Sequence, residues 1–500
     1  MLLDTLLAAL APFNLFLAVI GVVAGTVVGA LPGLTATMAV AVLVPFTFTM
    51  ASAPALILLG AIYTGAIYGG AYSAVLLNTP GTPSSIATTF DGYPMAKRGD
   101  GDLAITLSCL ASVAGGLVGA LALLLLAPPL AQFALAFGPI EYFWLAVLGL
   151  TLVAALSEGD TLKGLISACI GLAIALVGSA VVGGDIRYTG GSTLLLSGVG
   201  IVPALIGMFC VPVLIDLVST TEEHLDVQGK VAGFRLREAV GILGRDKLNL
   251  ARSSVIGTII GALPGAGGSI AALIAYSEAR RASKSPVRFG SGNPSGIIAS
   301  ESSNNATVGG GFIPTLVLGI PGTPADAIVL GALLVQGVKT GPSLFTEQSS
   351  IVYTFMFGLL IATILMLPIG LVLGRYAYSS IIAVPKALLV PAIALLTVLG
   401  SFAIHGDIDD VVVMLATGVI AWVLSRFGYA AAPMVLGLIL GPLAEQGFVQ
   451  AWMIGSAGDN LLGMFFGRPI SLGIMAIAAL TLLYPAFSRW RQKRATEASP

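Results

Sequence analysis

The sequence predicts an all-α polytopic membrane protein: two inverted repeats, each with a re-entrant hairpin and a broken transmembrane helix, about 11 full crossings plus two hairpins. Three observations carry this reading. The 500 residues are 57% hydrophobic and 9% charged, with a mean hydropathy of +0.99, too little polar surface for water-soluble domains. Two phrases recur in the same order: Gly29-Ala-Leu-Pro-Gly33 returns as Gly261-Ala-Leu-Pro-Gly265, and Pro80-Gly-Thr-Pro83 as Pro321-Gly-Thr-Pro324. Basic residues, absent before Lys97, then gather in a few clusters.

The same composition excludes other classes. A net charge of −1 gives no footprint for nucleic acid. Cys109, Cys169 and Cys210 stand alone in apolar runs and read as small core residues rather than a disulfide or metal framework.

Met1–Gly29 is apolar but lacks the basic region of a signal peptide, so it is expected to stay in the mature protein. The first repeat, 1–229, then holds a hairpin at about 16–48 with Leu31-Pro-Gly33 at its tip and a helix at about 55–96 broken by Pro80-Gly-Thr-Pro83. Beyond Lys97-Arg98, runs near 103–127, 140–156, 161–182 and 191–218 make four crossings. In the second repeat, 230–500, an amphipathic pattern around Phe234-Arg-Leu-Arg-Glu predicts an interfacial helix at about 231–250. A hairpin at 253–276 with Leu263-Pro-Gly265 at its tip follows, then a broken helix at about 306–338. Runs near 351–373, 381–401, 408–425, 428–449 and 470–487 add five crossings before a basic tail.

Orientation follows from the cations, which are enriched in cytoplasmic loops. Lys230–Arg252 holds six, Arg280–Arg288 four and Arg489–Arg494 four, so all three clusters are placed inside, with the C-terminus cytoplasmic. The stretch between Arg252 and Arg280 must then enter and leave by one face, whereas 16–48 has no cation at either mouth and is read as opening outside. Four crossings and five crossings both agree with this parity. Pro32 to Pro80 spans 48 residues and Pro264 to Pro321 spans 57, so the second copy carries nine extra residues, placed within Glu278–Ser303.

Broken helices in hydrocarbon leave backbone groups that protein, water or ligand must satisfy, and matched breaks in two halves point to the midplane site of a secondary transporter. The residues around them resemble those of a known family. Gly29-Ala-Leu-Pro-Gly-Leu-Thr-Ala-Thr37, Asn78-Thr-Pro-Gly-Thr82, Gly261-Ala-Leu-Pro-Gly-Ala-Gly267, Glu301-Ser-Ser-Asn-Asn-Ala306 and Leu318-Gly-Ile-Pro-Gly-Thr323 are similar to the large membrane subunit of the tripartite tricarboxylate transporters. These are bacterial binding-protein-dependent carriers of citrate and other carboxylates. The resemblance implies a small membrane subunit, a periplasmic solute-binding protein and cation-coupled uptake through the inner membrane. A homodimer, and Na⁺ or H⁺ as the coupling ion, stay open; no cofactor or metal beyond Na⁺ is expected.

The breaks carry hydroxyls, amides and free backbone donors that suit a carboxylate bound and released without a fixed counter-charge. In the first copy these are Pro32, Gly33, Thr35 and Thr37 at the tip and Asn78, Thr79, Gly81, Thr82 and Ser84 at the break. In the second they are Pro264, Gly265, Gly267 and Ser269 at the tip and Gly322 and Thr323 at the break. Asp326, a carboxylate inside an apolar helix, is expected either to serve the coupling ion or to cap the second half-helix. Glu301, Asn304 and Asn305, placed at the start of the second broken helix, supply hard oxygen ligands for a coupling ion. His224, beside Glu222-Glu223, and His405 read as solvated loop histidines. Gly99-Asp-Gly-Asp102 matches a string found in intramembrane aspartyl proteases, but its setting beside Lys97-Arg98, read as a loop, argues against catalysis. A permease working without a binding protein, an intramembrane hydrolase and a passive channel are the rival readings.

Overall fold

A computed structural model describes residues 1–156, 160–219, 233–283, 286–377 and 384–497; His224, Glu222-Glu223 and Lys230 lie outside them. The helices run in order α1 (Leu2–Ala9), α2 (Pro12–Ala30), α3 (Ala36–Leu43), α4 (Ser52–Leu76), α5 (Ile86–Met95), α6 (Gly101–Ala134), α7 (Pro139–Leu156), α8 (Thr161–Ala175), α9 (Ile201–Ser219), α10 (Leu236–Arg245), α11 (Lys247–Gly261) and α12 (Gly267–Ala282). They continue as α13 (Pro294–Leu318), α14 (Pro324–Val335), α15 (Leu344–Glu347), α16 (Ser349–Val372), α17 (Lys386–Phe402), α18 (Ile408–Arg426), α19 (Ala431–Ala457), α20 (Leu461–Phe466) and α21 (Pro469–Glu497). Eight helices are long and apolar enough to cross a membrane, among the described residues, and shorter apolar helices accompany them. The chain is thus an all-α polytopic membrane protein.

The chain divides into two compact units, 1–131 with 209–411, and 132–208 with 412–500. In the first, α4 is buried without interruption from Ala55 to Leu76 and α13 from Gly296 to Val317. A helix buried all round is a core helix, and each of these is the leading half of a broken one. The hairpin arm α2 packs along α4, and α11 along α13. In the second unit α19 packs on α7 and α8, where Gly171 lies against the Met434 carbonyl and Gly437 against that of Ala168. Buried Glu141 accepts the Ser471 hydroxyl at 2.8 Å and pairs with Arg468 Nη1 at 3.0 Å. Arg187 pairs with Glu445 at 2.9 Å.

Several expected boundaries move. The second broken helix starts at Pro294 instead of about 306: Asn293 caps it, accepting the Ser295 N–H at 3.0 Å. Glu301, Asn304 and Asn305 therefore lie inside α13, where a polar run reads in sequence like a loop but is buried against neighbouring helices. The interfacial helix, expected to 250, ends at Arg245; Lys247 already begins the hairpin arm, which extends through α12 to Ala282. The first hairpin runs from Pro12 through Leu43 and a 3₁₀ turn, Val44–Thr47. The runs expected at 161–182 and 191–218 shorten to α8 and α9, because Gly178, Gly183, Gly184, Gly190, Gly191 and Gly198 take positive φ between them. That segment forms the antiparallel ribbon of β1 (Gly178–Ser179) and β2 (Ile186–Arg187). Residues 428–469 resolve into α19 and α20.

Gly99-Asp-Gly-Asp102 is a helix kink rather than a loop. Gly99 at φ 92° turns the chain from α5 into α6, and Arg235 reaches Asp100 at 2.6 Å and Asp102 at 3.6 Å. His405 is exposed as expected, and its Nδ1 lies 2.8 Å from Asp410 Oδ2.

Candidate functional site

The two copies are built to one plan. Each hairpin tip turns at a glycine in the left-handed region, Gly33 at φ 89° and Gly265 at φ 80°. The leading half-helices end alike, at Asn78 with φ 57° and Gly319 with φ 70°, closed by Thr79 N–H on the Ser73 carbonyl and Ile320 N–H on the Pro314 carbonyl, both at 3.3 Å. Asparagine is among the few residues besides glycine that tolerate this conformation.

Hairpin and broken helix touch backbone to backbone through small residues. Gly25 and Gly29 face the carbonyls of Ile62 and Ala66; Gly257 and Gly261 face those of Ser303 and Thr307. At the breaks, Gly81 faces the Gly29 carbonyl and Gly322 that of Gly261, while the tip is tied down by Gly265 N–H on the Gly322 carbonyl at 2.8 Å. A Cβ at Gly25, Gly29, Gly81, Gly257, Gly261 or Gly322 would strike backbone.

The copies differ in what stands at the restarted helices. Thr323 and Asp326 form a complete capping box on α14: Asp326 Oδ2 accepts the Thr323 N–H and hydroxyl, both at 2.8 Å, and Thr323 Oγ1 accepts the Asp326 N–H at 3.2 Å. Tyr63 Oη lies 2.9 Å from Thr323 Oγ1, and Asp326 Oδ1 is without a partner among the described residues. In the other copy Thr82 has no side-chain cap. Ser85, at the place matching Asp326, donates to the Thr82 carbonyl at 2.8 Å, and Ser84 Oγ lies 3.0 Å from Thr82 Oγ1.

At this serine-built start the first break meets the second hairpin. A Cβ on Gly268 would lie 2.5 Å from Asn304 Oδ1, 2.9 Å from Ser84 Cβ and 3.5 Å from Thr307 Oγ1. Asn304 is 0% exposed, yet among the described residues neither its Nδ2 nor its Oδ1 has a hydrogen-bond partner, an arrangement that costs about 1–3 kcal/mol per group if nothing binds there. The N-termini of α12 and of the Pro83–Ser85 turn leading into α5 both start beside it, and helix starts present free N–H groups to anions. Asn305 turns elsewhere: its Nδ2 donates to the Thr64 carbonyl at 3.2 Å.

One turn before Asn304, Glu301 is buried between α5, α6 and α13. Thr88 Oγ1 donates to its Oε1 and Ser112 Oγ to its Oε2 at 2.9 Å, with Ser300 Oγ 3.0 Å from Thr88 Oγ1. Both partners are hydroxyls and neither is a cation. A hydroxyl can donate to a carboxylate or accept from a carboxylic acid, so this shell fits either protonation state. Among the described residues no three His, Cys, Asp or Glu side chains gather as a metal cluster.

Of the residues singled out in sequence, Ser84 and Asn304 meet at this junction against Gly268, and Thr82 adjoins it, whereas a Cβ on Gly267 would meet nothing within 4 Å. Pro264 and Gly265 form the tip beside it, with Ser269 in the first turn of α12. Gly322, Thr323 and Asp326 form the capped counterpart. Pro32, Gly33, Thr35 and Thr37 stand apart: Thr35 caps α3 by accepting the Met38 N–H at 3.1 Å, and α3 packs on α14. Asn78 and Thr79 close α4 at its end. Sequence reading missed Tyr63, Thr88, Ser112 and Asp91. Asp91 alone carried a signal, as the one acid within residues 55–96; its Oδ1 accepts the N–H groups of Gly290, Gly292 and Asn293 at 2.7–2.9 Å.

No solved structure matches the chain. A relative from Agrobacterium vitis, described as an uncharacterized 52.8 kDa protein in the TAR-I ttuC' 3'region, is 36% identical over 492 residues, covering 97% of this chain and 96% of the relative. A second, described as an uncharacterized protein in the TAR-II ttuC' 3'region of the same organism, is 34% identical over 243 residues, 48% of this chain and 97% of the relative. The model of the tripartite tricarboxylate transporter TctA family matches residues 15–436, a span that contains both tips, both breaks and the Glu301–Asn305 run. The chain therefore belongs to the tripartite tricarboxylate transporter TctA family, whose members are the large membrane subunits of such carriers.

Proposed function

We propose that the chain is the permease of a secondary active transporter, taking a carboxylate, citrate or a related organic acid, from a periplasmic binding protein and carrying it through the inner membrane with a coupling cation. The observation that carries this reading is Asn304, a buried amide without a partner among the described residues, beside two helix N-termini. A substrate carboxylate there takes the Asn304 Nδ2 donor, the Ser84 hydroxyl and the first N–H groups of α12, with Ser269 and Thr82 alongside. Among the described residues the side chains placed at the junction are amides and hydroxyls, which suits release as well as capture, since a fixed ion pair would have to be broken each cycle. In the matching copy the same kind of helix start is neutralised by Asp326, which favours one substrate site and one structural cap.

Glu301 is the coupling carboxylate in this reading. Its hydroxyl shell accommodates H⁺ directly, or Na⁺ with Thr88, Ser112 and Ser300 as further oxygen ligands. The inverted arrangement of the repeats, a cytoplasmic C-terminus and a small membrane subunit as partner belong to the same proposal. The test is citrate accumulation in proteoliposomes holding this chain, its small subunit and its binding protein. Uptake against a gradient, driven by an imposed Na⁺ or pH gradient and requiring the binding protein, supports it. Equilibration only would make the protein a channel, and uptake without the binding protein would make it an independent permease.

A further inference from the structure

Beside the junction, α5 and α12 run outward together from their starts at Ser85 and Gly267, and a cleft of about 520 Å³ opens between them. Phe90, Tyr93, Tyr276 and Phe289 wall it, Ser277 and Arg280 line it, and Asn78 closes the end nearest the first break. Its volume falls within the range of small-molecule pockets, about 300–1,000 Å³. Arg280 lies thirteen residues beyond Gly267 on α12, roughly 20 Å along the helix at 1.5 Å per residue.

The walls are held in place. Tyr276 donates its hydroxyl to Asp91 Oδ2 at 2.8 Å, and the other oxygen of Asp91 binds the N–H groups of the segment carrying Phe289. Arg98 adds bonds to the carbonyls of Ser291 at 3.0 Å and Gly292 at 2.8 Å. Aromatic edges meet at Tyr276, with ring centroids of Phe90 and Phe289 both 5.3 Å away. Arg98 and Asp91 are thus committed to protein groups. Arg280 forms no hydrogen bond or ion pair among the described residues, although the neighbouring Arg281 is paired with Glu278 at 2.7 Å. A guanidinium without a protein partner at the edge of an aromatic-walled cleft can take a carboxylate, since its planar fork matches two oxygens.

We propose that this cleft is a second carboxylate station, in series with the junction at Asn304, where Arg280 holds the substrate as it passes between that junction and the face bearing residues 286–293. The inference rests on the carboxylate-transport reading above. It adds a transient site whose cation stands away from the midplane, so the substrate is attracted along the path without being trapped at its centre.

The test places a cysteine at Ser277 in the full chain, with Cys169→Ser to remove the exposed native thiol; Cys109 and Cys210 are buried. Labelling by the anionic 2-sulfonatoethyl methanethiosulfonate is compared with the neutral methyl reagent, with and without citrate. We expect the anionic reagent to be favoured, citrate to slow both, Arg280→Gln to lower the anionic-to-neutral rate ratio about tenfold with the neutral rate unchanged, and Arg280→Lys to retain most of the ratio. An unchanged ratio in Arg280→Gln, or no protection by citrate in a chain that still transports citrate, overturns the station. Charge preference and citrate protection in a chain that fails to transport citrate would uphold the station and sink the transport reading instead.

Discussion

Asp326 and Ser85 occupy matching places, each three residues beyond a threonine that restarts a helix, and only Asp326 reaches back to that threonine's N–H, at 2.8 Å. One copy therefore supplies its own anion to its helix start and the other does not. Asp326→Asn should retain the cap geometry but lose the charge, lowering stability by about 1 kcal/mol. The thermal midpoint of the purified protein should fall while the number of cations moved per citrate stays the same. A changed stoichiometry would return Asp326 to the coupling role that its place in the sequence allows.

Asn304 and Asn305 are neighbours with opposite commitments. Asn305→Ala removes a donor to the Thr64 carbonyl and should cost about 1–2 kcal/mol of stability, with a modest loss of transport that follows the loss of folded protein. Asn304→Ala removes a group with no protein partner, so stability should hold or rise while citrate uptake falls at least tenfold. Comparing thermal midpoint with uptake per folded molecule separates the two; equal effects would end the assignment of Asn304 to the substrate.

The plan of the site was legible because its signals are backbone signals. Gly33, Gly265, Pro83 and Pro324 mark turns and restarts whatever surrounds them, and their repetition announced the duplication. The partners were not legible. Tyr63 and Thr323 are 260 positions apart, Thr88 and Glu301 213 apart, and nothing local in either segment announces the other. The start of α13 is hidden for a related reason: Ser300–Asn305 looks extramembrane by polarity, yet Gly115 and Gly257 let neighbouring helices close on its backbone.

The close approach of hairpin to broken helix makes a steric prediction. Gly29→Ala would drive a methyl into the Ala66 carbonyl, and Gly261→Ala into that of Thr307. Each should cost on the order of 1–3 kcal/mol and lower the yield of folded protein. Gly473→Ala, where a Cβ meets nothing within 4 Å, is the control and should leave the thermal midpoint unchanged or raise it.

Topology can be read with single cysteines on the Cys169→Ser background. Ala51, just before α4, and Ser283, just after α12, follow the two hairpins. With inverted repeats, a membrane-impermeant thiol reagent applied from outside labels the cysteine at 51 and reaches the one at 283 only after permeabilisation. Labelling of both from one face would mean the hairpins open to the same side.

Glu301 gives the sharpest test of coupling. Its oxygens are held by Thr88 and Ser112, hydroxyls that can reverse their roles as donor and acceptor, and a carboxylate so enclosed is costly unless it takes up a cation at some stage of the cycle. Glu301→Gln keeps the size and one acceptor, and its amide mimics the protonated acid, so the protein should fold and bind citrate. Exchange of citrate across the membrane, which needs no net ion movement, should persist near the native rate. Net accumulation driven by a Na⁺ or pH gradient should fall at least tenfold. If exchange and accumulation drop together, Glu301 serves the structure or the substrate; if both persist, the coupling ion binds elsewhere, and the unpartnered Oδ1 of Asp326 becomes the next oxygen to test.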